Sequence, residues 1–158
     1  MRIGFGFDIH RLVENRPLVL GGVRVPNPKG LEGHSDADVL LHAICDALLG
    51  AVGAGDMGVY FPDTDPKWKG TPSGQFVQTA LELVASHGLA IGNVDLVLVA
   101  ETPKLAPHRE AIRKSIAGIL KVKPEQVNVK GKTMEGLGEI GAGQAIAAYA
   151  SVLLEKQS

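Results

Sequence analysis

Alternation opens the chain. In MRIGFGFDIH the apolar residues Ile3, Phe5, Phe7 and Ile9 take odd positions, and Gly4, Gly6, Asp8 and His10 take even ones. A period of two belongs to a β-strand, whose successive side chains point to opposite sides. Asp8 and His10 therefore share one face, the four apolar side chains make the other, and the two glycines leave open space before the polar pair. PLVLGGVRVP follows as two short apolar runs about Gly21 and Gly22, the pattern of a tight hairpin, and then comes a loop, NPKGLEGHSDAD. From Ala37 to Val52 the period becomes helical, with apolar residues at 40, 41, 44, 45, 48, 49 and 52. Ser35, with Asp38 three places on, resembles a capping box with Asp in place of Glu.

The polar stretch GAGDMGVYFPDTDPKWKGTPSG is long for a connection, and such length marks a functional or mobile loop. Residues 73–87 read as a second helix ended by Gly88, NVDLVLVAE as a strand leading into PKLAPHR, and Pro107 as the opening of a third helix. QVNVKGKT reads as a last strand, GLGEIGAG as a glycine-rich bend and QAIAAYASVLLEK as a closing helix. Helices alternate with strands, but hairpin-like runs break a strict parallel series. The expected fold class is α/β (α+β), with a mixed sheet packed by helices on one side. The sheet's other face, carrying Phe5, Phe7 and Ile9, then needs cover, and burial between subunits of a homo-oligomer supplies it.

Composition narrows the function. A length of 158 residues suits one domain, 1–158, with a sizeable core, and 45% hydrophobic with 21% charged residues leaves no segment poor enough in apolar residues to be disordered. A net charge of -1 and 4% aromatic residues remove the electrostatic and stacking arguments for nucleic acid. The most apolar stretch, VLLHAICDALLGAVG, is interrupted by His42 and Asp46 and is too short to span a bilayer. The start shows no secretory signal. No membrane association is expected, and the location is cytoplasmic, or plastid stroma if a transit peptide was removed. The single cysteine, Cys45, falls on the apolar side of its helix and reads as a core residue in a reducing compartment.

His42 lies between Asp38 and Asp46 at four-residue spacings, on a face turned away from the apolar stripe. A helix laid on the first strand brings Asp8, His10 and His42 around one point. Two nitrogens, one carboxylate oxygen and a free fourth position are the donor set of a catalytic zinc. GFGF and GLGEIGAG do not match a dinucleotide fingerprint in its strand-turn-helix setting, and no GxxxxGK followed by Ser or Thr occurs. In KGKTMEG, Lys130, Lys132, Thr133 and Glu135 combine cations, a hydroxyl and a carboxylate suited to phosphates and a hard metal. The residues alone leave several readings open: a solvated strand face, a zinc-dependent phosphoester hydrolase activating water at the free position, and a non-catalytic trimeric protein holding a small lipid on its apolar face.

Taken together, FGFDIH, GGVRVP, GLEGHSDADVLLHAICDALLGA, GDMGVYFPDTDP, NVDLVLVAETPKLAPH and VNVKGKTMEGLG resemble the 2-C-methyl-D-erythritol 2,4-cyclodiphosphate synthase family of non-mevalonate isoprenoid synthesis, over nearly the whole chain. The resemblance implies a homotrimer whose sheets face a central apolar channel. It places active sites at subunit boundaries, each with zinc on Asp8, His10 and His42. It implies that His34 and Ser35 flank the reacting phosphate, and that Asp56, Met57 and Gly58, with Phe61, Pro62, Asp63, Thr64 and Asp65, hold the methylerythritol and the ribose. Ala100, Glu101, Thr102, Pro103, Lys104, Leu105 and Ala106 would enclose cytosine and its phosphates. Lys132, Thr133, Met134 and Glu135 would complete the site, with His34 and Thr133 as catalytic residues and Glu135 on a magnesium or manganese ion. The implied reaction is that of a lyase: the 2-phosphate of a cytidine diphosphate substrate attacks the β-phosphorus, CMP leaves and a cyclic diphosphate closes. Many such relatives have an arginine at the position of Ala142 and an aromatic residue at that of Glu139, beside an axial site for a terpenoid diphosphate. Their absence here implies weak binding of geranyl or farnesyl diphosphate.

Overall fold

The computed structural model describes residues 1–157. Along the chain run β1 (Arg2–Glu14), β2 (Leu18–Leu20), β3 (Val23–Val25), β4 (Lys29–Leu31), α1 (Val39–Val52), α2 (Met57–Tyr60), α3 (Ser73–Ser86), β5 (Leu89–Val99), α4 (Arg109–Leu120), β6 (Val127–Lys132), α5 (Gly138–Gly141) and β7 (Ala145–Lys156). Single 3-10 turns stand at Pro66–Trp68 and Pro124–Gln126. Among the described residues, five strands form a mixed sheet in the order β4-β1-β7-β5-β6, antiparallel except for the β5–β6 pair. β2 and β3 form a separate hairpin whose turn, Gly21 and Gly22, has φ of 60° and 79°, values open to glycine at no steric cost. Among the described residues no helix is long and apolar enough to cross a membrane.

The alanine-rich segment expected as a closing helix is β7, the central strand. Its register with β1 runs from Arg2↔Leu154 to Arg11↔Ala145, and on its other side it pairs with β5. Ile146, Ala148, Ala150, Val152 and Leu154 are buried on the helix-covered side, and Tyr149 opens to the other. The helix propensity of alanine is a weak term beside two complete ladders of backbone hydrogen bonds and the close packing of α1 that small side chains permit.

The even face of β1 is not open. A Cβ on Gly4 would stand 1.8 Å from the carbonyl oxygen of Ala47, and one on Gly6 would stand 1.9 Å from that of Ala43. The backbone of α1 therefore lies directly on the strand, with Ala43, Ala47 and Ala51 as the small residues turned to it. The opposite side of α1, with Leu40, Ile44, Leu48 and Cys45, is equally buried. Where one apolar stripe was expected, only His42, Asp46 and Gly50 escape full burial.

The cap of α1 also differs from expectation. Asp38, not Ser35, is the N-cap, and it is fully buried rather than on the exposed face with His42. Its carboxylate accepts from the backbone N–H groups of Leu41 at 3.2 Å, Gly21 at 2.9 Å and Gly22 at 2.7 Å, which ties the β2–β3 turn to the start of the helix. Burial raises this carboxyl to about 6, and the three N–H groups pull against that rise. The third helix begins at Arg109, later than Pro107, and β5 begins at Leu89, earlier than Asn93. The long loop after α1 contains α2 and a 3-10 turn, and Phe61, Trp68 and Phe76 pin it, with Phe61 4.6 Å and Trp68 5.7 Å from Phe76 between ring centroids.

The face of the sheet away from the helices is bare. Ile3, Phe5, Phe7 and Ile9 are 75%, 63%, 43% and 46% exposed, and Tyr149 lies among them, 4.9 Å from the Phe7 ring. In Gly6→Ala the added methyl has backbone in front of it and no flexible side chain to displace. A loss of about 3 kcal/mol of stability is expected, and thermal denaturation of the purified variant measures it.

Candidate metal centre and flanking cavities

Because α1 lies flat on β1, His42 in its first turn reaches over the even-numbered side chains of the strand. Asp8 Oδ2 is 2.8 Å from His10 Nε2 and 3.0 Å from His42 Nδ1, and the two nitrogens are 3.1 Å apart. Among the described residues this is the one group of three or more His, Cys, Asp or Glu side chains with convergent ligand atoms. All three residues are half-buried. Burial works against charge on Asp8, but hydrogen bonds and positive charge from His10 and His42 bring the carboxyl down to about 2. Burial works against charge on His10 too, and the hydrogen bond and charge of Asp8, aided by the Glu32 carbonyl, outweigh it and raise the ring from its ordinary value.

The outer bonds decide what these rings offer inward. His10 Nδ1 donates to the carbonyl oxygen of Glu32 at 2.8 Å, so in the neutral ring Nε2 is the nitrogen whose lone pair faces Asp8. His42 turns Nε2 outward, 2.8 Å from Ser73 Oγ and 3.2 Å from Ser35 Oγ. With both rings neutral in these tautomers, two imidazole lone pairs and a carboxylate oxygen within 3.1 Å of one another repel unless a proton or a metal cation stands among them. The edge of a zinc tetrahedron with nitrogen and oxygen ligands is about 3.3 Å, so the spacing suits such an ion with small adjustment.

The triad opens into a cavity of about 530 Å³ lined by Asp46, Met57, Gly58, Phe61, Pro62, Asp63 and Thr64 as well. Asp46 was not expected there as a cavity residue. Burial raises its carboxyl, and it accepts from the Met57 N–H at 2.8 Å, holding α2 against the mouth. Asp56 and Asp65 do not line this cavity. Asp56 caps α2 through the Val59 N–H at 3.2 Å, and Asp65 caps the following turn and pairs with Lys67 at 3.0 Å.

A second cavity of about 190 Å³ gathers Ala100, Pro103, Lys104, Leu105 and Ala106 with Lys132, Thr133 and, unexpectedly, Arg109. Glu101 does not line it. Its carboxylate accepts from the Met134 N–H at 2.8 Å and so holds the turn that carries Glu135. Glu135 is exposed, has φ of 53°, and places Oε1 3.4 Å from Thr133 Oγ1. Thr102 is outside the lining, and Lys130 is engaged with Asp95 at 2.5 Å. His34 is exposed, in a third cavity of about 400 Å³ with Arg16, Ser35 and Lys69. The first and second cavities share no lining residue.

The reading of the sequence did not single out Arg16, Arg109, Asp46 as a wall, or the pair behind His42. That pair is Asp36, which lies in the HSDAD stretch, and Ser73, which no motif marks.

Comparisons with known proteins follow the same lines. The model of the YgbB family matches residues 1–155. The chain is 55% identical over 157 residues to 2-C-methyl-D-erythritol 2,4-cyclodiphosphate synthase of Geotalea uraniireducens, covering 99% of this chain and 100% of that one. Among solved structures it is similar to the bifunctional IspDF of Campylobacter jejuni, with 41% identity and a TM-score of 0.95, covering 99% of this chain and 42% of that chain. It is also similar to a 2C-methyl-D-erythritol-2,4-cyclodiphosphate synthase in its CDP-bound form, with 44% identity and a TM-score of 0.90, covering 98% of this chain and 100% of that one. If the triad holds a divalent ion, Asp8→Asn, which keeps the shape and removes the anion, weakens binding on the order of 100-fold or more. A cobalt titration followed by visible absorption measures it.

Proposed function

The chain belongs to the YgbB family, and from that premise we propose how it works as an enzyme that converts 4-diphosphocytidyl-2-C-methyl-D-erythritol 2-phosphate to 2-C-methyl-D-erythritol 2,4-cyclodiphosphate and CMP. The observation that carries the mechanism is the convergence of Asp8, His10 and His42 at the mouth of a cavity of the size of a sugar phosphate. An oxygen of the 2-phosphate forms a bond to the β-phosphorus. The bond from that phosphorus to the bridging oxygen breaks, and the electron pair departs with CMP. This is a phosphorus-oxygen lyase reaction, and no protein nucleophile takes part.

Both reacting groups are anions within one flexible molecule, so charge neutralisation and folding of the substrate are what the protein must supply. Zinc on Asp8, His10 and His42 and a magnesium or manganese ion on Glu135 supply, when bound, Lewis-acid charge on the phosphoryl oxygens. Glu135 suits the second role because magnesium takes one or two carboxylates and fills its shell from phosphates and water. Met57, Gly58, Phe61, Pro62, Asp63 and Thr64 wrap the methylerythritol, with Asp56 and Asp65 holding that wall in shape. His34 and Ser35 flank the reacting phosphate from the side of Arg16 and Lys69. Ala100, Pro103, Leu105 and Ala106 enclose cytosine, Lys104 and Lys132 meet the diphosphate, and the Thr133 hydroxyl donates to an oxygen of the phosphate that departs.

A nucleoside diphosphate linked to a sugar phosphate needs the first and second cavities together, and they share no residue in one chain. The uncovered face of Ile3, Phe5, Phe7 and Ile9 gives the means of joining them. The proposed assembly is a homotrimer of single-domain chains with their bare sheet faces around a common axis, where the cavity of one copy meets the cytidine cavity of the next.

Phosphorus NMR of the purified protein with the diphosphocytidyl substrate, zinc and magnesium tests the reaction. Appearance of the cyclic diphosphate with an equal amount of CMP is expected, and a linear phosphate product would establish a hydrolase instead. In Glu135→Gln the zinc content stays and the rate loses its dependence on added magnesium or manganese, falling on the order of 100-fold at saturating metal. An unchanged magnesium titration would remove Glu135 from that role.

A further inference from the structure

We propose that Ser73 and Asp36 are positioning residues that fix the tautomer of His42 and with it the affinity of the metal centre, an inference that rests on the reading of Asp8, His10 and His42 as a metal site. The carboxylate of Asp36 accepts from the backbone N–H groups of Asp38 and Ser73, each at 3.1 Å, and from the Ser73 hydroxyl. An ionised carboxylate only accepts, so the single hydroxyl proton of Ser73 is spent on Asp36. Toward His42, 2.8 Å away, Ser73 Oγ then has lone pairs alone. His42 Nε2 must be the donor, so the neutral ring carries its proton there and Nδ1 is the nitrogen whose lone pair is available to a metal ion beside Asp8 and His10.

The direction of each bond follows from the one before it, starting at a group that has no proton to give. Ser35 Oγ, 3.2 Å from the same nitrogen, has no carboxylate behind it and accepts from the Ala37 N–H at 3.1 Å, which makes it the weaker partner. Ser73 is fully buried, so water does not take its place when the hydroxyl is removed. His42 is thereby matched to His10, whose outward N–H is held by a carbonyl rather than a hydroxyl. The two rings offer opposite nitrogens to the same point, Nδ1 from His42 and Nε2 from His10, and each is locked from behind.

Competition of cobalt and zinc against a chromophoric chelator, with wild type, Ser73→Ala and Asp8→Asn side by side, tests the relay without any turnover. Ser73→Ala is expected to bind 10- to 100-fold more weakly, the range typical of lost outer partners of metal ligands, with the melting temperature of its metal-free form close to wild type. A second readout is the imidazole N–H proton of His42 in the zinc-loaded protein, seen by proton–nitrogen NMR. In wild type it is slowly exchanging and shifted downfield, and in Ser73→Ala it is broadened by exchange. Equal affinity and an unchanged proton signal in Ser73→Ala, with wild type binding metal and Asp8→Asn not, would overturn the relay and leave the metal site standing. Failure of the wild type itself to bind would overturn the metal reading and the relay with it.

Discussion

The carbonyl oxygens of Ala43 and Ala47 rest where side chains would otherwise stand on Gly4 and Gly6. This contact of helix backbone on strand backbone sets the height of α1 above β1, and the site depends on that height. One methyl group of extra separation would lift His42 away from Asp8, whose carboxylate is now 3.0 Å from its ring. The alanines of α1 and of β7 serve the same closeness from the other partners, so smallness rather than shape complementarity organises this part of the core. Asp38 holds the helix along its axis as the glycines hold it in depth, since its three backbone bonds join the helix start to the β2–β3 turn.

The sheet divides the molecule's tasks between its faces. On the helix side, the polar ends of β1 and α1 form the triad, and the aromatic cluster of Phe61, Trp68 and Phe76 fastens the wall of the sugar-sized cavity. On the other side the same strand shows a row of large apolar side chains with Tyr149 stacked beside them. A strand with period two can carry chemistry and association at once without either pattern disturbing the other.

Much of this was legible from periodicity. The alternation of β1, the turn at Gly21 and Gly22 and the helical stretch ending at Val52 follow from spacing, and spacing allowed the meeting of Asp8, His10 and His42, which the family resemblance singled out from the other readings. β7 was not legible, because alanine on both faces of AIAAYA blurs the alternation and favours a helix when no neighbour is considered. The glycines were read as space because a sequence does not say what approaches a missing side chain. Asp36 and Ser73 lie 37 residues apart, and nothing local distinguishes a serine at a helix start from one that backs a histidine. Lys132, Thr133 and Glu135 stood out by their chemistry, but residues 100–106 were recognisable only through resemblance, since their gathering beside 132–133 depends on the parallel pairing of β5 with β6.

The central place of β7 has a consequence for when the site comes into being. This strand is the last in the chain, yet it lies between β1 and β5, and Asp8 pairs across to Ala148. A nascent chain that has emerged only as far as α4 already carries Asp8, His10 and His42 and can pair the end of β1 with β4, but it lacks β7, on which the Arg2–Arg11 stretch of β1 is set. Joining the first strand to the last closes a loop of nearly the whole chain, a slow kind of step because its entropy is spent before the contact is gained. Asp8, His10 and His42 are thus made early and brought together late, so the triad belongs to the finished protein rather than to the growing one.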